Sequence, residues 1–363
     1  MFDFSIAIAG KKIRFKYDGN KVDYDPLSSD EFKLFVCNET EKEDLLFNIE
    51  YGNMPDIQNK RKVFGVDDSW ALSVIDDGMV LEYKDRNLEG RIERMAVFDK
   101  EMTKGTIYIN KEKTPEEEEL SRSQREFKMS DEDILKREQR KIESEQRRMQ
   151  RYLDKGETVP PKPDPSQKKA KKEKTPAEKG KTLISELKAN FFQAFLVEYV
   201  AKKHMGIIAH CSTVNYKGKT YIFMGTSGTG KSTIAEFWHD KVGATVFNDD
   251  RAVIRVENGK TVFYNAPWVG TLYKKAQLDK GSGTAIDGVF LLYQHTENLL
   301  EKTSKAIAAT KIFKNTFPVF WNRNDLQYIL GVCADITKTV PCYDLGFIND
   351  DSVVDYLMKE LGI

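Results

Sequence analysis

From the N-terminus to about Asn110 the apolar residues come in short runs, among them FSIAIAG, KLFVC, ALSVI, RMAVF and TIYIN. Such runs are alternating or continuous over the length of a strand. Gly, Asn and Asp interrupt them, and Asp18-Gly19-Asn20 and Asp76-Asp77-Gly78 have the composition of hairpin turns. Residues 1–110 are therefore expected to form a β-rich N-terminal module. Its carboxylates and aromatics have no catalytic spacing, so it reads as a scaffold or recognition surface. The pattern then fades. Residues 111–181 consist mostly of Glu, Lys, Arg, Gln, Ser and Pro. Ser130 followed by Asp131, Glu132 and Asp133 marks a helix start, with acids at the positive end of the dipole. Leu135, Ile142 and Met149 then recur every seventh residue, a thin seam. It suits a solvated helix, and it leaves a homo-oligomer or partner-helix contact open through residues 130–155. Gly156 and VPPKPDP end the run, and QKKAKKEK follows as a charged connector.

The helical period returns near Thr182. Ile184, Leu187, Phe191, Phe195 and Tyr199 are spaced by three and four, an amphipathic helix with an aromatic stripe facing a core. GIIAHCSTV and KTYIFMG read as strands joined by a turn at Tyr216-Lys217-Gly218. TIAEFWHDKV reads as helix and ATVFNDD as a buried strand ending in two acids. RAVIRV and KTVFYN flank Glu257-Asn258-Gly259, a hairpin. GVFLLYQ is a further buried strand, KAIAATKIFKNTF a helix, VPCYDLGF a strand and SVVDYLMKEL a closing helix. Residues 182–363 are thus an α/β domain.

Composition narrows the partners. The chain of 363 residues has 57 Lys+Arg and 57 Asp+Glu, so no global charge recruits nucleic acid or an anionic membrane. QKKAKKEK offers only a local basic patch, and neither partner is expected. Cys37, Cys211, Cys333 and Cys342 form no CxxC pair, poor spacing for zinc or a disulfide framework, which fits a reducing, cytoplasmic setting. The opening MFDFSIAIAGKKIRF lacks the pattern of a signal peptide, and no run approaches a membrane span.

The chemistry concentrates at GTSGTGKS, residues 225–232, which matches G-x-x-x-x-G-K-[ST] at every fixed position. Gly225, Gly228 and Gly230 permit backbone angles that turn successive N–H groups into one concavity. Thr226, Ser227 and Thr229 complete the loop, which runs into a helix whose positive end faces the same anion. Lys231 can reach the β- and γ-phosphates, Ser232 can ligate magnesium, and Thr233 stands beside it. ATP with Mg2+ is the expected cofactor pair, and Mn2+ is the alternative metal. Asn248-Asp249-Asp250 closes the next strand, where acids suit metal or base work. Arg251 follows, either as a phosphate-neutralising charge or as a strand-end surface residue. His210 lies in an apolar run, the usual setting of a core histidine.

GIIAHCSTVNYKGKTYIFMGTSGTGKST followed by FNDD resembles the nucleotide-binding core shared by the HPr serine kinase/phosphorylases and the phosphoenolpyruvate carboxykinases. There a histidine-bearing strand, a G-x-S-G-x-G-K-[ST] loop and an Asp-Asp pair follow in that order, and Ser227 matches the serine of that loop. NAPWVGT and VPCYDLGFINDDSVVDYL are similar to stretches of smaller HPr-kinase-like proteins. The resemblance spans about residues 183–363. It implies a phosphoenolpyruvate-carboxykinase-like P-loop kinase domain with Asp249 as general base and Asp250 as metal ligand. It matches His210 to a metal-binding or active-site histidine, and it places Trp268 and Gly270 in the pocket. The arginine-rich substrate site of a carboxykinase and the glycine-rich signature of true HPr kinases are both missing. The expected function is ATP-dependent phosphoryl transfer to a serine hydroxyl of a protein or peptide. A small-molecule kinase, a carboxykinase-like enzyme and a non-catalytic nucleotide-sensing or assembly protein are the alternatives.

Overall fold

Short alternating runs become a sheet when their apolar positions share one face. The computed structural model describes residues 2–17, 35–37, 42–66, 69–85, 87–111, 113–127, 190–267 and 283–363. The N-terminal part contributes β1 (Phe2–Ile8), β2 (Lys11–Tyr17), β3 (Val36–Cys37), β4 (Leu45–Gly52) and β5 (Arg61–Val66). It continues with β6 (Trp70–Ile75), β7 (Gly78–Lys84), β8 (Ile92–Asp99) and β9 (Lys104–Asn110). These nine strands form one sheet in the order β3-β1-β2-β4-β9-β8-β7-β6-β5. It is mixed, because β4 pairs in parallel with both β2 and β9. Asp76-Asp77 is the two-residue turn between β6 and β7, with Ile75 opposite Gly78. Asp18-Gly19-Asn20 lies outside the described residues.

Helix α1 (Pro115–Phe127) opens with a capping box. Thr114 Oγ1 accepts from Glu117 N at 3.2 Å, and the Glu117 carboxylate accepts from Thr114 N at 2.8 Å. The seam at Leu135, Ile142 and Met149 and the basic connector lie outside the described residues, as do Trp268 and Gly270.

Helix α2 (Asn190–Lys202) carries Phe195 and Tyr199 of the aromatic stripe, which pack with Phe192 on the first sheet, while Ile184 and Leu187 lie outside the described residues. Phe195 meets Phe47 edge-on at 4.9 Å and Phe98 at 5.7 Å, and Phe192 meets Phe15 at 5.8 Å. The same buried cluster takes in Ile208, Val253, Val262 and Tyr264, so α2 is sandwiched between two sheets.

The second sheet follows. Its elements are β10 (Ile207–Tyr216), β11 (Lys219–Met224), α3 (Lys231–Val242), β12 (Thr245–Asn248), β13 (Arg251–Glu257), β14 (Lys260–Asn265) and β15 (Thr284–Ala285). Then come β16 (Gly288–Gln294), β17 (Leu299–Lys302), α4 (Lys305–Lys314), α5 (Arg323–Thr339), β18 (Cys342–Phe347) and α6 (Ser352–Leu361). The strand order is β15-β14-β13-β10-β11-β16-β18-β17, with β12 beside β10. β11, β16 and β18 run parallel, and β10 runs against β11. Lys217 and Gly218 turn from β10 to β11 with φ of 50° and 78°, and Asn258 and Gly259 join β13 to β14 at 50° and 71°. Alternation sends Ile207, Ala209 and Cys211 to the face covered by α4 and α5. Ile208 and Val214 go to the opposite face, covered at one end by α2 and at the other by α3 and α6. The described residues therefore form a mixed α/β protein with two nine-stranded mixed sheets and six α-helices. None of these helices is long and apolar enough to cross a membrane.

Two acids are buried where α2 meets α5. Glu198 is 6% exposed and Asp325 7%. Burial first, and then the charge of Asp325, holds the Glu198 carboxyl well above its usual range, while a hydrogen bond from Trp321 opposes the shift. A carboxyl raised in the folded chain stabilises fully below its unfolded pKa, and that contribution is lost as pH rises toward the folded value.

Two measurements check this packing. Phe195→Ala is expected to lower unfolding stability by ~3–5 kcal/mol in urea, because the ring is buried between both sheets. Glu198→Gln keeps an acceptor for Trp321 without a charge to bury. It is expected to raise the urea midpoint at about pH 7 and leave it nearly unchanged at about pH 4.

Candidate active site

The phosphate loop begins where β11 ends. Gly225 is buried, and a Cβ there would strike the Thr229 side chain. Thr229 N and Oγ1 both donate to Thr226 O, at 3.2 and 2.8 Å, and close the loop on itself. Gly228 and Gly230 have φ of 82° and 93°, backbone that residues with a Cβ rarely adopt. Gly230 is the N-cap of α3 and brings no side-chain cap. The first amides of α3 therefore face the loop as an anion site. The ends of the parallel strands brace the loop: Gln294 Nε2 from β16 donates to Gly228 O at 3.2 Å, and Phe347 from β18 packs against Gly230.

Lys231 is only 5% exposed. Its ammonium donates to Gly225 O at 2.8 Å and Thr226 O at 3.0 Å, so the side chain arches back along the loop. Burial lowers its pKa, and the nearby Cys211 and Asp250 oppose that shift. Ser232 Oγ points at the main-chain oxygen of Asp249, 3.5 Å away.

The acid pair interrupts a strand. Asn248 ends β12 opposite Thr213, and Arg251 begins β13 opposite His210, so both strands lean on β10 in succession. The Asn248 side chain holds the corner: Oδ1 accepts from Asp250 N at 2.6 Å, and Nδ2 donates to Arg251 O. Cys211 N donates to Asp250 O at 3.0 Å and ties the corner to β10. The two acids differ in setting. Asp249 is 3% exposed, whereas the Asp250 side chain is 28% exposed and bracketed by His210 Nε2 at 3.7 Å and Arg251 Nε at 3.9 Å. Burial, the Lys231 charge and the Arg251 charge lower the His210 pKa, and Asp250 opposes them. The imidazole is therefore neutral at physiological pH, the form that accepts a proton or binds a metal.

The structure thus brings residues 225–233, His210 and the corner at Asp249-Asp250 around one end of β10 and β11. The His210 side chain is 33% exposed beside Asp250 and is not a packed core histidine. Ser232 and Asp250 carry a hydroxyl and a carboxylate, hard oxygen groups of the kind that magnesium or manganese takes with phosphates, and His210 adds an imidazole nitrogen. Cys211 lies against this pocket, but burial pushes its thiol up to about 12, so it is no nucleophile. Sequence reasoning missed Gln294, Phe347 and the segment after α4. Asn315 O accepts from His210 N at 2.8 Å, and Phe317 N donates to Ile208 O at 3.0 Å, filling the part of the β10 edge that β11 does not cover. Only the Gly-Phe of the tail resemblance hinted at Phe347, and nothing local marks the others.

No protein-family model and no curated protein matches the chain. Among solved structures, the Hpr(Ser) kinase/phosphatase from Coxiella burnetii is similar over 43% of this chain and 99% of its own. The identity is 11% and the TM-score 0.26, too low to assign any residue a role.

Gly230→Ala is expected to cost ~1–3 kcal/mol in thermal unfolding, because its Cβ would lie 2.6 Å from Phe347 Cζ at a φ of 93°. Gly228→Ala meets nothing within 4 Å and is expected to cost only the ~1 kcal/mol of left-handed backbone.

Proposed function

We propose that the chain is an ATP-dependent phosphotransferase whose site is the pocket between residues 225–233 and the corner at Asp249-Asp250. What supports this is the approach of Ser232 Oγ to the Asp249 main-chain oxygen, 3.5 Å, which brings the start of α3 next to the corner that carries the acid pair. The uncapped start of α3 and the loop amides would hold the β- and γ-phosphates. The Lys231 ammonium would turn from the loop carbonyls to the same oxygens. Ser232 and Asp250 would hold magnesium, and the opening at Asp250 leaves room for the waters that magnesium retains. When bound, magnesium neutralises charge on the β- and γ-phosphates.

Asp249 would accept the proton of an attacking hydroxyl. The new oxygen–phosphorus bond forms as the bond to the β,γ-bridging oxygen breaks, and ADP leaves. The acceptor class, a serine of a protein or peptide, follows from the sequence resemblance alone.

Variants separate these roles. Lys231→Ala is expected to abolish label transfer from ATP to acceptors in a lysate of the source cell. Asp249→Asn should keep magnesium-dependent ATP binding in calorimetry while transfer falls by ~100-fold or more. Asp250→Asn should lose the magnesium dependence of ATP binding. Full transfer by Asp249→Asn would remove its role as base, and the opposite pattern for the two acids would exchange their roles.

A further inference from the structure

A second cation borders the acid pair. Arg251 starts β13 opposite His210, and its guanidinium lies over the Phe317 ring, with Cζ 4.7 Å from the centroid. Nε is 3.9 Å from Asp250 Oδ1, beyond hydrogen-bond length. The buried Nε and Nη1 have no hydrogen-bond partner among the described residues. The fork is aimed by strand register and by an aromatic platform, neither of which occupies its donors. The platform is itself fixed to β10, through Phe317 N on Ile208 O and the bridge between Thr316 and Ala209.

Arg255 provides the contrast on the same strand. It too lies over an aromatic ring, Tyr264, at 4.4 Å. Its Nε donates to Glu257 at 2.9 Å, Nη1 to Ala9 O at 3.0 Å and Nη2 to the Tyr264 hydroxyl at 2.7 Å. That is how a structural arginine of this fold uses its fork. Arg251 is held as firmly and keeps donors uncommitted, beside the carboxylate proposed to face magnesium and the phosphates. Ground-state phosphates already have the loop amides and Lys231. A guanidinium beside the acids would instead meet the charge spread over the equatorial oxygens of the phosphoryl group in transfer.

We propose that Arg251 is a catalytic residue of this site, donating to the equatorial oxygens of the phosphoryl group during its transfer from ATP. The proposal rests on the phosphotransferase function above, and one experiment separates their failures. Binding to the full chain and to Arg251→Gln and Arg251→Lys is measured for MgADP alone and for MgADP with aluminium fluoride, which mimics the transferring phosphoryl group. Thermal unfolding reports whether each variant is folded. In the parent chain, aluminium fluoride should tighten ADP binding. In Arg251→Gln, MgADP binding should stay within about two-fold of the parent while the fluoride-dependent tightening falls by ~100-fold or more. Arg251→Lys, which keeps charge without the fork, should lie between them.

Unchanged tightening in Arg251→Gln overturns the proposal and leaves the nucleotide site standing. An equal loss for MgADP with and without fluoride also overturns it, because the arginine is then a ground-state or structural residue. A parent chain that binds MgADP without any fluoride effect overturns it as well. A parent chain that binds no MgADP removes the phosphotransferase function itself. Should Arg251→Gln not fold, Phe317→Leu tests the same point: with the platform gone, the tightening should weaken and MgADP binding persist, and unchanged tightening overturns the proposal.

Discussion

Everything at the site depends on how β10 shares its two edges. Along one edge its second half pairs with β11, and the strand carrying the phosphate loop is thereby fixed. Along the other edge β12 and then β13 take turns, and the hand-over between them is the corner at Asp249-Asp250. The edge beyond β11 is filled by Asn315–Phe317. A buried strand must satisfy its main-chain groups on both sides. Here four different segments meet that need, and their junctions lie together. Acids, loop and histidine converge because hydrogen bonds to one strand hold them there, with little help from side-chain attraction.

The cations at this site are thinly compensated. Lys231 is buried on main-chain oxygens, and Asp250 lies 3.7 Å from His210 Nε2 and 3.9 Å from Arg251 Nε, beyond hydrogen-bond length. Burying charge without full pairing costs stability. Such clusters are common where a ligand of opposite charge completes them. The cores around the pocket are conventional by comparison, with Trp238, Phe223 and Phe290 fully buried between α3, α6 and the sheet.

Much of this was legible in the sequence, for local reasons. The phosphate loop declares itself because glycines at fixed places are a backbone requirement, met here by the positive φ of Gly228 and Gly230. Asn258-Gly259 and Lys217-Gly218 likewise state their turns. The strands named before the structure correspond to β1, β6, β8, β9, β10, β11, β12, β13, β14, β16 and β18, and Val36–Cys37 of KLFVC forms β3, with Lys33 and Leu34 outside the described residues. Helix α5 is the largest element the apolar pattern did not bring out. Its buried Ile329, Val332, Cys333 and Ile336 keep helical spacing, but the polar Asp325 and Thr337 share the buried face and shorten the apolar stripe. The aromatic stripe of α2 was visible, but not the sheet it would meet, since an amphipathic face does not specify its partner. The support of His210 and Arg251 by Asn315 and Phe317 was invisible for the same reason, because it joins positions 105 and 66 residues apart through tertiary contact alone.

The connector between α4 and α5 touches both halves of the molecule. Phe317 supports the guanidinium, and four residues later Trp321 stacks at 4.4 Å on Phe64 of β5 in the first sheet. Trp321 also hydrogen-bonds Glu198 on the helix between the sheets. One short stretch of chain is therefore held at both ends, by Arg251 beside the acid pair and by the first sheet. A displacement of the outer strands would reach the guanidinium through this stretch without passing through residues 225–233.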